Sequence, residues 1–171
     1  MQDEFLGPVV SSAHLASGSF PEISEFEFGL TIAGNAFHRW IVRAIATAGY
    51  PDMSPLDVLV LHTVFHRDRP KKLADICLVL NVEDTHTVNY SVRKLKAAGL
   101  VSEGRSGKEK TVQVTELGAK ACKDYGQIRE QLLLRSLKDL DLNPEDMGRM
   151  ASLLRLMSGQ YDQAARAATT Y

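Results

Sequence analysis

The chain has 171 residues, 44% of them hydrophobic and 24% charged, with 20 Lys and Arg against 21 Asp and Glu and a formal net charge of −1. That composition predicts a globular domain with a real core; it excludes a disordered chain, and no run of about 18 apolar residues is present to span a membrane. The near-neutral sum conceals an asymmetry, because residues 67–123 hold 12 basic and 7 acidic side chains while residues 1–53 hold 2 and 6, so one face of the middle segment could meet phosphate.

Residues 1–23 scatter Gly7, Pro8, Ser11, Ser12, Gly18, Ser19 and Pro21 among apolar residues without a period, and are expected to form an N-terminal arm. They begin with Asp3 and Glu4 rather than the basic stretch and apolar core of a secretory signal, so a cytoplasmic protein is expected. Residues 24–171 read as a single domain. From Ser24 onward, Phe26, Leu30, Ala33, Phe37, Trp40, Ile41, Ala44 and Ala48 recur at steps of three and four, which predicts a long helix over 24–48 closed by Gly49. Ser54-Pro55-Leu56-Asp57 offers a capping hydroxyl, a proline at the first helical position and an acid in the first turn. Leu56, Leu59, Val60 and Thr63 are the expected inner face of this second helix, which should end near His66.

A short helix is expected over Lys71–Leu80, with Leu73, Ile76, Cys77 and Leu80 inward and Asn81 at its end. The next is capped by Asp84 or Thr85, turns Val88, Val92 and Leu95 inward and stops at Gly99. Leu100-Val101 and Thr111 to Val114 then read as two short strands around a loop at 104–109. Thr115 can cap a helix of more than 20 residues bearing Leu117, Ala121, Cys122, Tyr125, Ile128, Leu132 and Leu137. Asn143-Pro144-Glu145-Asp146 opens the last helix, whose Met147, Met150, Leu154, Met157 and Tyr161 form a stripe that seeks another helix.

The expected fold is therefore mostly helical, α+β, and its order over 54–114 is that of a winged helix-turn-helix. Long helices at 24–48 and 115–165 flank a unit too small to bury both, and a homodimer that pairs them across two chains resolves this. In the third helix of the motif His86, Asn89, Tyr90 and Arg93 fall at i, i+3, i+4 and i+7, opposite the apolar stripe. A B-form major groove admits a helix; Asn pairs bidentately with adenine and Arg with guanine, so Asn89 and Arg93 are the expected base readers. Thr85, Thr87 and Tyr90 can bond phosphate oxygens, and Lys94 or Lys96 lies toward the far end of the helix, where a backbone could pass. Glu83 and Asp84 suit the helix dipole but repel phosphate.

Two stretches resemble the multiple antibiotic resistance regulator (MarR) family. Leu95-Lys96-Ala97-Ala98-Gly99-Leu100-Val101 is similar to the end of its recognition helix, a leucine, a few polar residues, then Gly-Leu-Val. Val114-Thr115-Glu116-Leu117-Gly118 is similar to the Leu-Thr-x-x-Gly that follows its wing. The resemblance spans roughly residues 26–160 and implies a homodimer that binds a pseudo-palindromic double-stranded operator, usually as a repressor. It also implies that Arg105 and Lys108 of the wing reach a minor groove or clamp its phosphates. The sequence departs from the family pattern in its wing, where Glu103-Gly104-Arg105 precedes Ser-Gly-Lys in a loop about three residues shorter than usual.

Resemblance further implies an effector site between the dimer helices and the DNA-binding lobe. Trp40, Arg43, His62, Phe65 and His66 are its expected lining, apolar walls with a few cations that suit a small phenolic or carboxylate ligand. His62 and His66 are also one helical turn apart, a zinc-chelating spacing if His38 or Asp68 joined them; histidines on such a helix are more often structural, and no metal is expected. Cys77 and Cys122 are expected to pack as free thiols. No cofactor motif, nucleophile elbow or phosphate-binding glycine loop is present, so no enzyme is expected. The competing readings are a winged-helix module that contacts a protein partner without specific DNA binding, in keeping with the net charge of −1, and a metal-responsive regulator.

Overall fold

A computed structural model describes residues 20–67, 69–140 and 142–171, the side chain of residue 139 excepted. The expected arm at 1–23 lies outside these residues as far as position 19. The described residues form two compact units that meet in sequence between Gly126 and Gln127.

In the first unit α1 spans Glu22–Thr47, with Glu22 and Glu25 in its first turn. Its C-terminal half buries Ile41, Ala44 and Ile45, whereas Leu30 and Phe37 remain exposed. α2 (Pro55–Phe65) begins with the expected cap: the Asp57 amide donates to Ser54 Oγ (3.2 Å) and the Ser54 amide donates to Asp57 Oδ2 (2.8 Å). The buried face of α2 is Val58, Val60, Leu61 and Val64 rather than Leu56, Leu59, Val60 and Thr63. The expectation failed because α2 is the central helix, packed against α1, α3, α4 and β3, and a helix apolar nearly all round gives no period from which to read a face.

The helix expected from Lys71 begins two residues later. Lys71 and Lys72 form β1, and α3 is Leu73–Leu80, with Ile76 and Cys77 buried and Asn81 in the left-handed region (φ 52°). α4 is Thr85–Ala97, buries Val88, Ser91, Val92 and Leu95, and is capped by Asp84, whose Oδ1 accepts from the His86 amide (2.8 Å). β2 (Val101–Ser106) and β3 (Glu109–Val114) pair antiparallel from Val101↔Val114 to Ser106↔Glu109. β1 adds to β3 through Lys71↔Val112 and Lys72↔Thr111, so the sheet has three strands in the order β1-β3-β2. Two residues are too short a run to show alternation, which is why β1 has no signature in the sequence.

The loop expected over 104–109 shrinks to Gly107-Lys108, because both strands run on to Ser106 and Glu109. Gly107 supplies the positive φ (62°) that a two-residue hairpin turn requires. α5 (Glu116–Ile128) buries Gly118, Ala121, Cys122 and Tyr125. Its α-helical hydrogen bonding stops short of the 20 residues expected and gives way to π-type bonding over Arg129–Leu134, where the Arg135 amide donates to the Glu130 carbonyl.

The second unit ends in α7 (Pro144–Ala168), capped by Asn143, whose Oδ1 accepts from the Glu145 amide (2.9 Å); between it and the π-helical stretch lie α6 (Arg135–Leu137) and a 3-10 turn at Lys138–Leu140. Within that unit Met147, Met150, Leu153, Leu154 and Leu156 are exposed. Among the described residues no helix is long and apolar enough to cross a membrane.

Candidate nucleic-acid interface

The apolar stripe of α4 seats the helix on the core, so its opposite face is presented by packing rather than by chance. His86, Thr85, Tyr90 and Arg93 are exposed, Tyr90 at 69%, and Asn89 is half-buried. An aromatic left that open on a helix with a buried apolar stripe is available to a ligand surface. Thr87 is exposed as well, and its hydroxyl donates to the Asp84 carbonyl (2.7 Å).

The two lysines expected beside a DNA backbone are each paired with an acid. Lys94 Nζ lies 2.9 Å from Oδ2 of Asp57, a side chain only 1% exposed, and this ion pair ties α4 to the capped start of α2. Burial by itself would raise the Asp57 pKa; Lys94, the Ser54 amide and the hydroxyls of Ser91 and Ser54 outweigh it, and the carboxyl titrates below the ordinary aspartate range. Lys96 Nζ bonds Glu103 Oε2 at 2.5 Å, from α4 to β2. Lys96 holds the Glu103 pKa down, burial opposes it slightly, and Lys110 and Arg93 add to the lowering. One carboxylate thus sits among Lys96, Arg93 and Lys110, and a small hollow of about 340 Å³ lined by Lys96, Glu103, Gly104, Arg105 and Lys110 joins the recognition helix to the wing.

The wing carries its cations on a tight ribbon. Arg105 is paired in register with Lys110, and Lys108 occupies the turn. Like charges directly opposite one another repel across a strand pair, an arrangement that an incoming anion would relieve. The sequence reading left Lys110 out of the interface because the register that sets it opposite Arg105 was hidden in an apparent loop.

The five residues expected to line an effector site occupy α1 and α2: Trp40 half-buried, Arg43 exposed, His62 and Phe65 half-buried and His66 exposed at the C-terminal end of α2. The His62 ring meets Tyr125 edge-on, centroids 4.5 Å apart, and its Nε2 is buried with no hydrogen-bond partner. Burial pushes the His62 pKa below its ordinary value of 6.5. The unfolded chain therefore binds the proton more readily, and stability is complete above that value and falls as pH drops below it. Thermal melts from neutral to about pH 5 are expected to show a steeper loss for the natural chain than for His62→Phe, which keeps the ring and removes the titration. Equal slopes would remove His62 from the acid response.

Among the described residues no three His, Cys, Asp or Glu side chains gather to hold a metal; Asp68 lies outside them. Both cysteines are buried and unpaired, and burial pushes the Cys122 thiol up to about 12, so it stays protonated.

Residues 53–118 match a family described as a winged helix DNA-binding domain. Among curated proteins none matches the sequence. Among solved structures the chain is similar to a MarR-family transcriptional regulator from Rhodococcus sp. RHA1, with 15% identity, 83% of this chain and 96% of that one covered, and a TM-score of 0.65. It is similar to CouR from Rhodococcus jostii RHA1 bound to p-coumaroyl-CoA, with 16% identity, coverages of 78% and 91%, and a TM-score of 0.65. It is also similar to a MarR mutant from E. coli complexed with operator DNA, with 19% identity, coverages of 82% and 99%, and a TM-score of 0.64. The chain has the fold of these solved MarR-family structures.

Proposed function

We propose that this chain, which carries a winged helix DNA-binding domain at residues 53–118, is a MarR-family transcriptional regulator that binds a pseudo-palindromic operator as a homodimer and represses. The observation that carries the reading is the α4 face itself: His86, Asn89, Tyr90 and Arg93 turn away from a stripe buried to within a few per cent and are flanked by the Arg105 and Lys108 wing. A helix so fixed can enter a major groove while the ribbon follows the adjoining minor groove. The solved MarR mutant bound to operator DNA supports the same use of this fold.

A homodimer is supported by the exposed Leu30 and Phe37 of α1 and the exposed Met147, Met150 and Leu154 of α7, since apolar stripes of this size on separate helices are covered in stable proteins. A small effector is the proposed input. The CoA thioester in CouR supports a carboxylate-derived aromatic ligand, placed near Trp40, Arg43, His62, Phe65 and His66. To release the operator it must bind the DNA-incompetent spacing of the two recognition helices more tightly than the competent one.

Selection from random duplex DNA across a salt series tests the proposal. A two-fold-symmetric site whose affinity falls steeply with salt is the expected result. Arg93→Ala should then relax preference at one base pair of each half-site, at a cost of about 1–3 kcal/mol, while Lys108→Ala weakens all sequences alike and lowers the salt slope by about one. An unchanged base preference in Arg93→Ala removes that assignment, and the absence of any enriched site favours a protein-binding module instead.

A further inference from the structure

A concavity in the first unit lies away from the outward face of α4, between the α2–β1 loop, α3 and the back of the wing. It holds about 1000 Å³, and His66, Arg67, Arg69, Lys71, Lys72, Asp75 and Arg105 are among the residues that line it. Five of these side chains are cations and one is an acid, in a protein whose net charge is −1. Such an excess in one hollow is not the average surface.

The two lysines build the cleft and leave the arginines for a ligand. Lys71 Nζ donates to the Val64 carbonyl (2.9 Å), the His66 carbonyl and the Arg69 carbonyl (3.4 Å), so one ammonium gathers the end of α2 and the loop that follows. Lys72 is paired with Glu109 across β1 and β3, and Asp75 adds to its field. Arg67, Arg69 and Arg105 are exposed, and none of them is paired with an acid among the described residues. Arg67 also holds a left-handed backbone (φ 64°), uncommon in a non-glycine residue, on the loop that Lys71 ties down. Three arginines lining one hollow offer guanidinium forks that can donate bidentately to phosphate oxygens, which a lysine point charge does not.

We propose that this cleft is a binding site for a small phosphate-bearing anion, held by Arg67, Arg69 and Arg105. Concavity favours a free anion over a DNA backbone, which lies on open loops and helix ends. The site is separate from the effector region around Trp40 and Arg43, with His66 alone common to both. It rests on the DNA-binding reading in one respect: Arg105 belongs to the cleft and to the wing, so an anion seated here withdraws that guanidinium from the DNA and weakens operator binding.

The test is calorimetric titration of the full chain with pyrophosphate, without DNA and at fixed ionic strength, with sulfate as the control. One saturable site per chain is expected, weakened about tenfold or more in the double variant Arg67→Gln, Arg69→Gln and again in Arg105→Gln, and tightened in Asp75→Asn, which removes a repelling carboxylate from the described lining. All these side chains are exposed, so melting temperatures should not change. No saturable binding, equal binding of the double variant, or sulfate binding as tight as pyrophosphate each overturns the proposal. So does a double variant that loses DNA affinity and salt slope while pyrophosphate fails to bind, since the arginines then serve the DNA backbone. Pyrophosphate binding by a chain that selects no DNA sequence supports the cleft and overturns the regulator reading alone.

Discussion

Gly118→Ala is expected to cost the winged domain more than roughly 4 kcal/mol, enough to unfold it or leave it marginal. A Cβ at this position would stand 2.0 Å from the Leu100 carbonyl oxygen and 2.9 Å from both the Leu100 carbonyl carbon and Val114 Cγ2. Two of these atoms are backbone, so no rotamer change makes room, and the helix must lift off the strand start. Around the same point Thr115 donates its hydroxyl to the Gly99 carbonyl (2.7 Å) and accepts from the Gly118 amide (3.0 Å), while the Thr115 amide donates to the Leu100 carbonyl (3.1 Å). One threonine and one glycine thus fasten the end of α4, the start of β2 and the first turn of α5 together. Urea denaturation followed by circular dichroism should place the midpoint of Gly118→Ala far below that of the natural chain. Gly126→Ala is the control, since a Cβ there meets nothing within 4 Å. Similar midpoints for the two variants would show that the α5 contact yields easily.

Lys94→Met is expected to destabilise by about 2–4 kcal/mol, more than Asp57→Asn, although the two residues share one ion pair. The asymmetry follows from burial: the Asp57 side chain is 1% exposed and the Lys94 side chain 32%. Remove the lysine and a carboxylate is left in the interior with only the Ser54 cap and Ser91; remove the charge on Asp57 and Lys94 can turn to water. The pH dependence has a definite sign. The folded-state pKa of Asp57 lies below its ordinary 3.8, so its contribution is present above that value and is lost as pH falls through the folded value. In Lys94→Met burial is no longer offset by the ammonium, the folded pKa rises, and loss of stability on acidification should begin at higher pH. Chemical denaturation at several pH values reads both effects. In DNA titrations the salt slope of Lys94→Met should stay that of the natural chain, in contrast to Lys108→Ala, because the charge removed faces Asp57 and no phosphate.

Local chemistry was legible wherever a short stretch of chain acts on itself. Ser54, Asp84, Thr115 and Asn143 cap the helices expected of them, each through a hydroxyl, carboxylate or amide within three residues of the amide it serves. The stripe of Val88, Val92 and Leu95 placed His86, Asn89, Tyr90 and Arg93 on one outward face for the same reason, since a helix repeats every 3.6 residues whatever surrounds it. Neither the buried face of α2 nor the strand at Lys71-Lys72 could be read, because both are fixed by what packs or pairs against them.

The same division runs through the site. By itself the sequence determined the order of the main helices and the hairpin, the capped helix starts, the basic middle of the chain and the polar face of α4, all consequences of composition and period. Only the tertiary structure decided which cations are at liberty. It committed Lys94 to Asp57, Lys96 to Glu103 and Lys71 to the α2–β1 loop, and gathered Arg67, Arg69 and Arg105 into one hollow. The partner of Lys94 is distant in sequence, 37 residues away at Asp57, and a charge run in a sequence carries no record of which of its members will meet an acid once the chain has folded.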